Sequence, residues 1–173
     1  MRKRVPLPSS RFLRECLNYD AQTGILRWKV RPVKHFKDAR AANSWNTRYA
    51  GQLAFHNKNK FGHFTGRVND QPYLAHRVIW KIVTGKEPPV IIDHKDRCAD
   101  NNKWDNFRSA TKSQNNMNSD IPRGIWFDTS RNKFMAHIKK DRRRIFLGRF
   151  DKQEDAQAAR RDAEIKLFGE FAP

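Results

Sequence analysis

Asp93 and His94 close a short β-branched run, Ile91-Ile92-Asp93-His94. Asn106 follows His94 by twelve residues and Asn115 by twenty-one. A carboxylate, an imidazole and two amides in one short segment can hold a hard divalent cation and activate a water. Asp93 and Asn115 offer oxygen donors of the kind Mg²⁺ takes, because Mg²⁺ keeps several waters and few protein ligands. As a neutral imidazole, His94 can take a proton from an attacking water near neutral pH. Asn106 can be neither acid nor base, but its side-chain oxygen can accept from an imidazole N–H and fix the ring. The chemistry such a set suits is phosphodiester hydrolysis. That reaction needs an in-line nucleophile, relief of charge on the phosphorus oxygens and help for the leaving 3′-oxygen. A lone Asp-His pair is more often a turn with a satisfied histidine, so the spacing to both asparagines carries the case.

Other titratable groups read as bland. His76 reads as a helix-start or packing residue, and Asp96 and Asp100 as solvated loop carboxylates. His35, His56 and His63 have no partners at ligand spacing and read as surface residues or DNA-backbone contacts. Cys16 and Cys98 lie far apart with no Cys-x-x-Cys pair, which argues against a structural zinc knuckle and for two free thiols in a reducing cytosol.

Charge is the informative bulk property. Thirty-six Lys and Arg against 18 Asp and Glu leave a net +18 on 173 residues. Such an excess sets up a positive field whose natural partner is a polyanion, nucleic acid first. The basic residues do not gather on one amphipathic helix, which disfavours an anionic membrane. No apolar run approaches the roughly 18 residues of a membrane helix. The basic start, Met1-Arg2-Lys3-Arg4, has no apolar stretch behind it and is not read as a secretory signal.

Several elements must position these groups. Ser9 or Ser10 caps a short helix to about Leu17, and Ile25 to Val30 reads as a strand. Residues 34–49 look irregular and polar, with Trp45 and Tyr49 as anchors. Gly51 to Phe55, Phe61 to Val68 and Tyr73 to Arg77 read as short strands. Ala75 to Thr84 changes to helical spacing, with Val78, Ile79, Ile82 and Val83 on one face and Gly85 as the stop. The Asp93 segment then reads as strand, long loop, strand, and a helix from near Ser109 or Thr111. Asn118 to Pro122 is a polar connector and the expected domain boundary. Beyond it, three strands precede a helix that Asp151 would cap. In the second of these strands Phe134, Ala136 and Ile138 alternate with Met135, His137 and Lys139; in the third, Ile145 and Leu147 alternate with Arg144 and Phe146.

Two resemblances follow. The central segment resembles the HNH family of nucleases, also called His-Me finger or ββα-metal enzymes, and within it the phage homing-endonuclease branch. The residues carrying this are Ile91-Ile92-Asp93-His94, Asp100-Asn101-Asn102, Asn106-Phe107-Arg108, Ala110-Thr111 and Gln114-Asn115-Asn116. His76-Arg77-Val78-Ile79-Trp80 upstream and the Tyr19-Asp20, Thr23-Gly24, Trp28 pattern also match. Lys95-Asp96-Arg97-Cys98 and Lys103-Trp104 depart from that branch in the loop and touch none of the proposed ligands. Residues 123–172 resemble the APETALA2-type DNA-binding domain through Arg123-Gly124-Ile125-Trp126, Lys133 to Ile138 and Phe146 to Phe150. That resemblance implies a sheet lying in the major groove, with Arg123, Trp126, His137, Lys139, Arg144 and Phe146 as readers. The alternation independently puts His137, Lys139, Arg144 and Phe146 on the free face.

The expectation is an α+β chain in three parts: a basic β-rich N-terminal DNA-contacting region at 1–75, a ββα-metal nuclease core at 76–118, and a C-terminal three-stranded antiparallel sheet packed on one helix at 119–173. The expected function is a metal-dependent endonuclease acting on double-stranded DNA, of the homing, nicking type, with one Mg²⁺ or Mn²⁺ per site. His94 and Asn106 would be its catalytic pair, and Asp93 and Asn115 its metal ligands. The competing class is a non-catalytic DNA-binding transcriptional regulator. No membrane partner is expected, and the cytoplasm, of a host cell if phage-encoded, is the expected location. One site per chain favours nicking by a monomer, with a dimer left open.

Overall fold

The computed structural model describes residues 5–118 and 124–172 and divides into two compact units between Arg108 and Ser109. The chain is a mixed α+β protein of small antiparallel sheets, with a sheet-plus-helix unit at its C-terminal end. Among the described residues no helix is long and apolar enough to cross a membrane.

The first unit opens with helix α1 (Ser10–Cys16), whose first turn is closed by Ser9 Oγ accepting from the Phe12 N–H at 3.2 Å. Strands β1 (Leu17–Asp20) and β2 (Ile25–Trp28) form a hairpin, and β3 (Leu53–Ala54) pairs on β2. Residues 39–49, expected to be irregular, form helix α2 (Ala39–Tyr49). Asp38 caps it by accepting from the Ala41 N–H at 2.7 Å. Strands β4 (Asn57–Lys58), β5 (Phe64–Val68) and β6 (Gln71–Leu74) make the second sheet. Helix α3 (Ala75–Thr84) follows, and Gly85 ends it in the left-handed conformation at φ 72°. Its buried stripe is Ala75, Val78, Ile79 and Ile82, whereas Val83, expected on that face, is exposed.

Strand β7 (Ile92–His94) pairs with β8 (Phe107–Ser109). Ile92 and Phe107 bury into the same core as Leu13, Leu17, Leu26, Val78 and Ile79. The short strands that carry the Asp-His pair are therefore anchored on the N-terminal half of the chain. The residue 75/76 division falls at the start of α3, with core residues on both sides of it.

Helix α4 (Lys112–Met117) opens the second unit with a reciprocal cap between Thr111 and Gln114. The compact-unit boundary thus precedes α4 rather than falling in the 118–122 connector. Strands β9 (Ile125–Asp128), β10 (Lys133–Lys140) and β11 (Arg143–Phe150) form an antiparallel meander. Helix α5 (Gln153–Phe168) packs on β10 and β11, burying Ala136, Ile138, Ala156 and Phe168. Asp151 does not cap α5: that position is Lys152, and Asp151 accepts from Lys133 Nζ at 2.7 Å instead.

Candidate functional site

Asp93 is 4% exposed and His94 5% exposed. Arg108 Nε donates to Asp93 Oδ2 at 2.7 Å, so the carboxylate at the end of β7 is tied to a cation on the paired strand. Burial and, after it, the neighbouring His63 push the His94 pKa below its ordinary value, against the opposite pull of Asn102, Asp96 and Asp93. Burial thus favours the neutral imidazole, the state a general base needs.

Asn106 is buried and is bonded into the loop that follows His94. Its Oδ1 accepts from the Asp96 N–H at 3.0 Å. Its Nδ2 donates to Asp96 Oδ1 at 2.8 Å and to the Asn101 carbonyl at 2.9 Å. Its own carbonyl accepts from the Lys95 N–H at 2.9 Å. Through these bonds Asn106 fixes the loop that leaves His94. Asp96 is correspondingly more than a solvated carboxylate. Burial alone would raise its pKa, but hydrogen bonds from Asn101, the Cys98 N–H and Asn106 outweigh that and hold it low.

The far side of this loop rests on the β1–β2 hairpin. Tyr19 Oη donates to the Asn102 carbonyl at 2.8 Å, and the Trp104 N–H reaches the Ala21 carbonyl at 3.4 Å. Gly24, at φ 75°, lies so close that a Cβ there would stand 2.6 Å from the Asn102 carbonyl carbon. The turn therefore admits only glycine, on conformation and on space together.

Three histidines meet around the end of β7. The His76 and His94 rings are 5.4 Å apart, His63 and His94 5.5 Å, and His63 and His76 4.8 Å. Phe107 closes one side, 5.2 Å from His94. His76, as expected, packs at a helix start, and burial with the charges of His63, His94 and Arg77 drives its pKa down to about 3. His63, expected at the surface, belongs to this cluster. His35 is also not a surface residue: its side chain is 5% exposed and bonds Glu15 Oε2 at 2.8 Å. His56 is exposed, as expected.

In the second unit, Asn115 lies half-buried on α4. The sheet gathers five of the six expected readers on one face. Trp126 stacks on His137 at 4.4 Å and 17°. Phe146 lies 5.0 Å from His137 and opposite it in register, and Lys139 stands opposite Arg144. The Arg144 guanidinium sits 6.0 Å from the Trp126 ring centre. Desolvation first, then Arg144 and Arg149, lower the His137 pKa. Arg123 lies outside the described residues. Sequence reading missed Arg149, whose guanidinium is 5.2 Å from the Phe146 ring. A β-bulge between Ala136 and His137 shifts the register there, which simple alternation does not anticipate.

Residues 73–117 match the family model for HNH endonuclease. No curated protein and no solved structure matches the chain. The matched HNH segment runs from β6 to the end of α4 and contains Asp93, His94, Asn106 and Asn115. It supports a nuclease that hydrolyses DNA, and HNH nucleases generally use a divalent cation. His63 precedes the HNH segment and Tyr19 and Gly24 lie far upstream of it, so part of the support around His94 is drawn from outside the matched region.

Proposed function

We propose that this chain is a metal-dependent endonuclease that hydrolyses phosphodiester bonds in double-stranded DNA, with His94 as general base. The observation that carries the reading is a buried imidazole at the end of β7, next to an aspartate anchored by Arg108, inside the HNH-matched segment. Asp93 and Asn115 together supply a carboxylate and an amide oxygen, a hard donor set that fits one Mg²⁺ or Mn²⁺. Bound there, such a cation would offset charge on the phosphate oxygens and favour departure of the 3′-oxygen. His94 takes the proton of the attacking water. Asn106 positions it by clamping the loop at Asp96, Asn101 and Lys95, and Arg108 orients the Asp93 carboxylate. The products are 5′-phosphate and 3′-hydroxyl ends.

Functionally, residues 1–75 contact DNA, 76–118 cut it, and 119–173 supply affinity and register as an APETALA2-like module. On that module Trp126, His137, Lys139, Arg144 and Phe146, together with Arg123, read or grip the duplex. The aromatic and cationic mix of the β9–β11 face supports this, because such faces combine stacking with phosphate neutralisation. The family context suggests a phage-type homing enzyme that nicks as a monomer in the cytoplasm.

Incubation of supercoiled plasmid with the full chain and Mg²⁺ tests the reading. Conversion to nicked circles that EDTA stops and His94→Ala abolishes is the expected outcome. DNA binding with no cleavage in Mg²⁺ or Mn²⁺ would replace the enzyme with a non-catalytic DNA-binding regulator.

A further inference from the structure

We propose that His63, His76 and His94 form a second metal site, for a borderline transition ion of the Zn²⁺ class, and that filling it withdraws His94 from proton abstraction. The inhibitory half of this inference rests on His94 being the general base; the binding half does not.

One ligand atom from each of the three histidines lies within 4.8 Å of the other two. A tetrahedral ion with Zn–N bonds of ~2.0–2.1 Å needs ligand nitrogens about 3.3 Å apart. Ring movements on the order of 1 Å reach that spacing without moving the backbone. The donors are three imidazoles, a set that suits Zn²⁺, Ni²⁺, Co²⁺ or Cu²⁺ and is a poor match to Mg²⁺.

The hydrogen bonds favour ligation. His63 Nδ1 lies 3.3 Å from the Ala99 carbonyl, which can only accept. The proton therefore sits on Nδ1 and the Nε2 lone pair is left for a metal. A carbonyl on the far nitrogen is the usual outer support of a ligating histidine. His63 is itself held in place, since its N–H and that of Phe61 both donate to Asn59 Oδ1, at 3.1 and 2.9 Å. His76 is 6% exposed, and its Nδ1 is buried with no hydrogen-bond partner. A buried polar nitrogen without a partner is costly, and a metal ion is one thing that would satisfy it. The three residues come from the β4–β5 turn, the start of α3 and the end of β7, so one ion would tie three elements of the first unit together. Three protein ligands leave a fourth position for water or a phosphate oxygen.

Titration of the full-length chain with Co²⁺, followed by visible absorption, reads the site directly. One tetrahedral Co²⁺ per chain, displaced by Zn²⁺, is expected, with three paramagnetically shifted imidazole N–H resonances in the NMR spectrum. His63→Ala should weaken Co²⁺ binding by at least about tenfold. The Zn²⁺ concentration that halves Mg²⁺-supported DNA cleavage should rise by a similar factor in that variant, relative to its own zinc-free rate. Absence of a tetrahedral spectrum in the wild-type chain overturns the site, as do fewer than three shifted imidazoles. Equal Zn²⁺ inhibition of both proteins overturns the inhibitory role. A wild-type chain that binds Co²⁺ as described but never cuts DNA would instead discard the nuclease reading and leave the metal site standing. Should His63→Ala not fold, the wild-type spectrum and the count of shifted imidazoles decide the question without it.

Discussion

Arg108 Nε donates to Asp93 Oδ2 at 2.7 Å, and both side chains are less than a tenth exposed. A buried ion pair gains little over an apolar replacement, but removing one member leaves the other charged and desolvated. Arg108→Ala should therefore cost roughly 3–5 kcal/mol of stability, measured by urea unfolding of the full chain. Adding Asp93→Asn to that variant removes the stranded charge and should restore part of the loss. A single-variant cost within ~0.5 kcal/mol, the range of an ordinary surface change, would mean the pair does not anchor β7 to β8.

His94 and Asp93 are neighbours with different proposed duties, and their substitutions should fail differently. His94→Ala removes proton abstraction, typically a factor of ~10² to 10⁴, with the Mg²⁺ requirement barely changed. Its cleavage should recover partly at high pH or with added imidazole. Asp93→Ala and Asn115→Ala should first raise the metal requirement, partly offset by excess Mg²⁺ or Mn²⁺. Asn106→Ala should slow cleavage by loosening the loop, so faster amide exchange at Asp96 should accompany it. Single-turnover rates against metal concentration and pH separate these cases. The roles are misassigned if His94→Ala shifts the metal titration and Asp93→Ala does not.

What the sequence made legible, and what it hid, follows from how local each signal is. Helix α3 was readable because Val78, Ile79 and Ile82 repeat at helical spacing and Gly85 stops the run. The β10 face was readable because alternation needs only one strand. Helix α2 was missed because polar residues dilute its stripe of Ala42, Trp45 and Tyr49, though Asp38 ahead of an alanine-rich turn was a usable capping signal. Spacing singled out Asp93, His94 and Asn106, all three of them buried, but not the partners of Asn106, which depend on how the 95–101 loop closes. The place of His63 was hidden because its neighbours come from a helix start and a strand end, and no local spacing encodes that meeting.

The β1–β2 turn tests whether support for the site extends beyond the HNH segment. Gly24→Ala must pay for a left-handed backbone, ~1–2 kcal/mol, and for a Cβ against the Asn102 main chain. Asn102 lies beside His94, so both the melting temperature and the single-turnover rate should fall. Tyr19→Phe, which removes the hydroxyl and its bond to the Asn102 carbonyl, should give a smaller drop of about 1 kcal/mol. A Gly24→Ala chain with wild-type melting and rate would show that the hairpin does not brace the loop.

Acid should weaken the first unit through its buried histidines. His76 is neutral when folded, with a pKa of about 3, and its ordinary value is 6.5. Below pH 6.5 the unfolded chain binds the proton that the folded chain refuses, so stability falls as pH drops and levels off only near pH 3. At pH 5 this group alone should cost about 2 kcal/mol relative to pH 7.5, and His94, also depressed, adds in the same direction. Four of the five tryptophans lie before Arg108, so fluorescence-detected urea unfolding at the two pH values reports on this unit. His76→Gln should flatten the dependence. Identical midpoints at both pH values in the wild-type chain would contradict a neutral buried His76.

The β9–β11 face is proposed to hold DNA partly through phosphate, and salt dependence measures that share. Each neutralised phosphate adds about −0.9 to the slope of log K against log salt. Lys139 and Arg144 stand opposite each other in register and are both exposed, so they can reach neighbouring positions on one duplex. Replacing both by Ala should make the slope shallower by roughly one to two. Phe146→Ala, which removes an exposed ring and no charge, should weaken binding while leaving the slope as it was. The two effects separate because counterion release depends on charge alone, whereas ring contacts add affinity that salt barely screens. Fluorescence anisotropy of a labelled duplex across a salt series measures both. A Lys139→Ala, Arg144→Ala slope equal to that of the wild-type chain would place phosphate contacts elsewhere, with the net positive residues 1–75 as the next surface to test.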